Sequence, residues 1–212
     1  MPGSHATAPR CPNVLNMVVD MPDGQWGGWI PDRRIGSAAA ELAVGLSDGQ
    51  EARATVRRSI ELINAGSLRK GAIVLSNAIW VPDRGRGEVA AILDVTLIAA
   101  PGDDKAPERY LSRNLRKDFG WTTRLMEYAA DTAQVPAGPM TIEQVLLRRF
   151  RERQVQAYLF LNVFPPGAEE AVSLVFNTVH LDLVTEVARQ ARVMAESLQI
   201  ELGEIPGGRR QV

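Results

Sequence analysis

QVQAYLFLNVFPPGAEEAVSLVFNTVHLDLVTEVARQARVMAESLQI, residues Gln154 to Ile200, changes its hydrophobic period once. From Val155 to Phe176 the apolar side chains alternate with period two, interrupted by the turn Pro165-Pro166-Gly167. From Leu183 onward, Leu183, Val187, Ala191, Met194 and Leu198 follow helical spacing. The pattern predicts two antiparallel strands feeding a long amphipathic helix that must pack on their sheet. This is a signal of fold, and no chemical motif of similar quality accompanies it.

Working outward, Val14 to Met21 reads as a strand that Pro22 ends, and Ser37 to Leu46 as a short Ala-rich helix. Between them lies DGQWGGWIPDRR, whose glycines and prolines predict turns around Trp26 and Trp29. Ser47 and Asp48 are cap candidates for a helix running to about Ala65, with Val56, Ile60 and Ile63 on one face and Gly66 as its stop. Ala72 to Val81 and Glu88 to Ala99 read as a hairpin joined by Pro82 to Gly87. In its second run Val89, Ala91, Leu93, Val95 and Leu97 face one way. Glu108 to Phe119 reads as a helix, and Trp121 to Ala133 leans towards a strand. Thr141 to Arg153 fits a capped helix and an alternating strand equally, and periodicity alone leaves both open.

These elements predict an α/β (α+β) fold, a mainly antiparallel sheet flanked by helices, occupying residues 13–203 as a single domain. Residues 1–12 and 204–212 are expected to be tails. At 212 residues and 45% apolar composition, the chain is large enough to bury a full core. A net charge of −1 provides no general attraction for nucleic acid or anionic lipid, so neither is an expected partner. Arginine far outnumbers lysine, which occurs only at Lys70, Lys105 and Lys117. With abundant Ala, Gly and Val, that bias fits a GC-rich bacterial genome. The single cysteine, Cys11, excludes an internal disulfide and a cysteine-built zinc site. The first residues lack the apolar segment of a signal peptide, and a cytoplasmic location is expected.

The order of elements from Asp48 resembles bacterial, particularly actinobacterial, proteins of the Mog/PsbP-like fold. QVPAGP, Gln134 to Pro139, and the junction from SLVFNT, Ser173 to Thr178, into the last helix carry the similarity. The resemblance implies an antiparallel sheet flanked by helices, and it tips Thr141 to Phe150 towards a strand. It also implies non-catalytic binding of another protein, since the understood members of this fold mostly do that.

Catalytic motifs are sparse. Neither a phosphate-binding loop nor a dinucleotide fingerprint occurs, and there is no nucleophile elbow. His180, at the start of the last helix, is a base candidate lacking an orienting carboxylate, since Asp182 diverges by about 200° around a helix. Asp103 and Asp104 read as a solvated loop rather than a cation site. No cofactor is expected. The expectation is a non-enzymatic protein-binding or adaptor module, with a small-molecule binder or weak hydrolase built on a pocket between sheet and helices as the alternative. The expected docking residues are Trp26 and Trp29, on an exposed glycine-rich loop, and Arg148, Arg149, Arg151 and Arg153, at a hairpin end. Trp80 is expected in the core.

Overall fold

The computed structural model describes residues 12–22, 24–69, 74–114, 123–149 and 154–203. Its elements run β1 (Asn13–Val18), β2 (Trp26–Trp29), α1 (Gly36–Leu46), α2 (Gln50–Arg69), β3 (Val74–Trp80), β4 (Ala91–Ala99) and α3 (Ala106–Asn114). There follow β5 (Thr123–Val135), β6 (Gly138–Arg149), β7 (Gln154–Val163), β8 (Glu170–Thr178), α4 (Val184–Ser197) and β9 (Gln199–Gly203). The fold is α+β. Seven strands form one sheet in the order β2-β3-β4-β8-β7-β6-β5, and β1 pairs with β9 as a separate ribbon. Every pairing is antiparallel. Among the described residues, no helix is long and apolar enough to cross a membrane.

The sheet is covered on both faces. On one, Leu93, Val95, Leu161, Leu174 and Phe176 pack beneath Val187, Ala191, Met194 and Leu198 of α4, with Val14, Met17, Ile200 and Leu202 of the ribbon joining them. On the other, Val56 and Ile60 of α2 and Ala39 and Ala43 of α1 cover Trp29, Ile79 and Val81. Phe164, Ala171 and Ile98 pack with Ala106 and Tyr110 at α3 on that same face. A sheet covered on both faces explains why β8 is buried almost continuously rather than at alternate positions.

Most expected elements are present, with local corrections. Gln25–Ile30 is not a loop, because Trp26 to Trp29 pair with Trp80 to Asn77 as an edge strand. The first strand stops at Val18, short of Met21. α2 continues through Gly66 to Arg69, since Asn64 and Ser67 are buried along its inner side. That packing outweighs the cost of one internal glycine, about 1 kcal/mol. Ser47 does not cap α2; its hydroxyl donates back to the Ala43 carbonyl at 2.5 Å. β4 begins only at Ala91, so Val89 lies outside the strand and packs against the α1–α2 cluster instead. Thr141 to Arg149 belongs to β6 and Thr123 to Ala133 to β5. The expected end of the third helix beyond Asn114, Trp121, Ala72, Cys11 and the residues 1–11 and 204–212 lie outside the described residues.

Candidate functional site

A helix is about 10–12 Å across, while strands are spaced about 4.8 Å, so one helix covers roughly two strands. α4 lies on β7 and β8. The sheet continues past it through β6 and β5, leaving a cleft along the helix flank. Register places two rows of side chains on its floor. One runs Ala129, Gln144, Leu159, Phe176, and the other Glu127, Leu146, Ala157, Thr178. Val184, Val187 and Ala188 form the helical wall, and the cleft encloses about 180 Å³.

The lining is mostly apolar, and the ionisable side chain on the cleft face is Glu127, since Tyr158 alternates to the other face of β7. Thr178 is the hydroxyl nearest α4 in sequence, but it is committed: it donates to the Ala90 carbonyl at 2.6 Å and accepts the His180 backbone N–H at 2.9 Å. Tyr158 donates to Gln156 at 2.8 Å. The side chains of the cleft floor are therefore apolar apart from Gln144, the bonded Thr178 and one carboxylate, Glu127, at its β5 edge, while Asn177, opposite Tyr158, turns to the other face.

The opposite face of the same strands carries a buried polar cluster that sequence reading missed. Asn162 donates to Thr141 at 2.9 Å and to Glu143 at 3.3 Å, and Ser173 donates to Asn162 at 2.6 Å. Tyr128 donates to the other Glu143 oxygen at 2.9 Å, and burial with this bond pushes its phenol up to about 12. Glu143, Asn162 and Thr141 are all buried. Alternating polar residues on a strand normally mark a solvated face, so only the pairing of Thr141 with Asn162 and of Asn162 with Ser173 gives this cluster away.

The expected docking residues fare unevenly. Trp26 and Trp29 are only 6% and 7% exposed, so the expectation of exposed anchors is corrected. Trp26 stacks on Trp80 at 6.3 Å, meets Phe176 edge-on at 6.1 Å, and donates its indole N–H to Gln190. Trp29 packs under α1 and α2. Trp80 is in the core, as expected. Arg148 and Arg149 end β6, and Arg148 stands opposite Arg124 of β5 and Val155 of β7. Arg151 and Arg153 lie outside the described residues.

His180 does meet a carboxylate, but it is Glu88, 3.6 Å away on the segment before β4, rather than Asp182. This pair does not line the cleft. Asp103 is held by Arg109 at 2.7 Å, and that guanidinium keeps its carboxyl below the ordinary range. No cluster of three metal-ligating side chains occurs among the described residues. No protein-family model matches the chain, and no curated protein matches it.

Proposed function

We propose that this protein is a non-enzymatic binding module that takes a small apolar ligand into the cleft between α4 and strands β5 to β8. The observation that carries the reading is the cleft's apolar floor, Leu146, Ala157, Leu159 and Phe176, beside a helix that spans only part of the sheet. An apolar cavity of about 150 Å³ accommodates a benzene-sized molecule, and this cleft encloses about 180 Å³. Gln144 supplies a hydrogen-bonding group to orient a ligand that has one polar end.

Binding is preferred to hydrolysis because the cleft's chemistry is sparse. Its threonine hydroxyl is already bonded at Ala90, and the His180–Glu88 pair lies elsewhere. General acid–base work needs a base within reach of a substrate proton. The similarity to Mog/PsbP-like proteins also favours non-catalytic binding. With Trp26 and Trp29 buried, however, a protein partner lacks the two aromatic anchors expected for it.

The test uses methyl-labelled full-length protein titrated with toluene and with short-chain alcohols. Shifts should concentrate on the methyls of Leu146, Leu159, Val184 and Val187. Ala188→Leu fills the cleft from the helix side and should weaken binding about tenfold, ~1.4 kcal/mol. Absence of saturable shifts with either probe class, or affinity unchanged by Ala188→Leu in a folded variant, would reject the cleft as the site.

A further inference from the structure

β5 closes one side of the sheet, and among the described residues it pairs only with β6. It is 13 residues long, contains neither proline nor lysine, and most of its side chains are exposed. Leu125 and Met126 are 43% and 54% exposed. A free strand edge templates pairing with another chain, and proteins ordinarily blunt such edges with short length, proline, charge, bulges or a covering element. β5 has charges and a bulge, and these decide its register rather than bar pairing. β5 has one local irregularity, at Met126, between Leu125 opposite Leu147 and Glu127 opposite Leu146.

That bulge sets which charges share a face. Arg124 is opposite Arg148 and Glu127 opposite Leu146, two positions of β6 that point to the same side. Arg124, Glu127, Ala129 and Asp131 therefore line the cleft side of β5. Thr123, Leu125, Tyr128, Ala130 and Thr132 line the other. Arg124 and Asp131 are both exposed.

With Met126 as the extra residue, β5 is complementary to itself in one antiparallel register. Centring the two-fold axis on Tyr128 sets Arg124 opposite Asp131 of the second copy, and symmetry repeats the pair. Leu125 then meets Ala130 of the second copy, Thr123 meets Thr132, and the two Tyr128 residues stand opposite each other. Glu127 falls opposite Ala129, with Arg124 beside it on its own strand. Neighbouring registers are poorer. Centring on Ala129 opposes Glu127 to Asp131 twice, centring on Glu127 or Asp131 opposes identical carboxylates, and centring on Ala130 leaves Arg124 without its acidic partner. Opposite charges across a strand pair stabilise it and like charges destabilise it.

We propose that the protein self-associates through β5, two copies joining by antiparallel β5–β5 pairing centred on Tyr128 into one continuous sheet. The interface is isologous, the form that closes at two copies. Strand pairing supplies affinity through backbone hydrogen bonds, while the Arg124–Asp131 pairs select the register. The second copy also extends the sheet beyond Glu127 and Ala129, the cleft's β5 boundary, so the cleft floor continues onto it. The association does not depend on any ligand in the cleft.

Sedimentation equilibrium of the full chain, from nanomolar to high micromolar concentration, tests the proposal. Wild type should form a dimer. Arg124→Asp and Asp131→Arg, each opposing like charges at two points, should raise the dissociation constant about tenfold or more. The combined Arg124→Asp/Asp131→Arg variant should recover dimerisation, because the swap restores both pairs. Circular dichroism confirms that each variant is folded. Independently of any variant, hydrogen exchange should show β5 amides becoming more protected as wild-type concentration rises. A wild type that stays monomeric, a dimer indifferent to the single substitutions, a double variant that does not recover, or β5 exchange independent of concentration overturns it.

Discussion

Gln190 is a polar side chain at 1% exposure in the middle of the α4 packing surface, and it is tolerated because both ends of its amide are bonded. Its oxygen accepts the Trp26 indole N–H, and its nitrogen donates to Glu186 at 2.8 Å. Hydrogen bonds from Arg189 and Gln190 hold the Glu186 carboxyl down to about 2, so the acceptor stays ionised at neutral pH. Gln190→Leu keeps the volume but leaves the buried indole N–H of Trp26 unpaired, which costs about 1–3 kcal/mol. Urea unfolding should show that loss, and Trp26→Phe in the Gln190→Leu background should be far milder than in the wild type. Equal effects of Trp26→Phe in both backgrounds would mean that the bond carries no net energy. This contact also explains why residue-level reading failed at Trp26. Glycines and a following proline describe a loop locally, whereas the residue that draws the indole inward lies 164 positions away. Trp80 was legible because its own strand pattern was. Tyr128, Glu143 and Asn162 were not, since their pattern of alternate polar residues is that of a solvated face until register brings them together.

Among the elements, those with a strong period were legible and those with a compromised one were not. β7 and β8 alternate clearly about the Pro165–Gly167 turn, and in α4 the residues at helical spacing, Val187, Ala191, Met194 and Leu198, are buried. β6 resembled a helix as much as a strand because both its faces are used: Met140 and Ile142 enter or border the α4-side core, while Thr141 and Glu143 are buried on the other. β5 gave a weak pattern for the opposite reason, since most of it faces solvent. The turn between them was readable from QVPAGP: Gly138 has φ +143, and a Cβ there would come 2.4 Å from the Phe164 carbonyl oxygen. The seat of α4 yields a quantitative expectation. Met194 is fully buried among sheet side chains, so Met194→Ala should cost about 2–5 kcal/mol by lost burial and residual cavity. Chemical denaturation measures this directly. An unchanged midpoint would remove α4 from the core, and with it the helical wall of the cleft.

At the scale of the molecule, the connection between the early and late parts of the chain is the β4–β8 pairing, Ile92 to Ala99 against Asn177 to Glu170. It joins the β2–β3–β4 side, covered by α1 and α2, to the β8–β7–β6–β5 side that holds the cleft. A seam of strand pairing alone would let the two sides melt separately; the core argues against it. The cluster beneath α4 contains Trp26, Ala78 and Trp80 from the first side, Leu159, Leu161 and Phe176 from the second, and Val14 of the ribbon. Trp26 bonds to α4 itself through Gln190. Neither side can expose its share of that cluster without opening the other's, so the described elements should unfold as one cooperative unit. Tryptophan fluorescence, weighted by Trp26, Trp29 and Trp80 on the first side, should therefore trace the same urea transition as far-UV circular dichroism, which reports the whole sheet. A fluorescence midpoint clearly separated from the dichroism midpoint would instead make the β4–β8 pairing a boundary between independently stable units, and would localise the stability of the cleft to the strands and helix that form it.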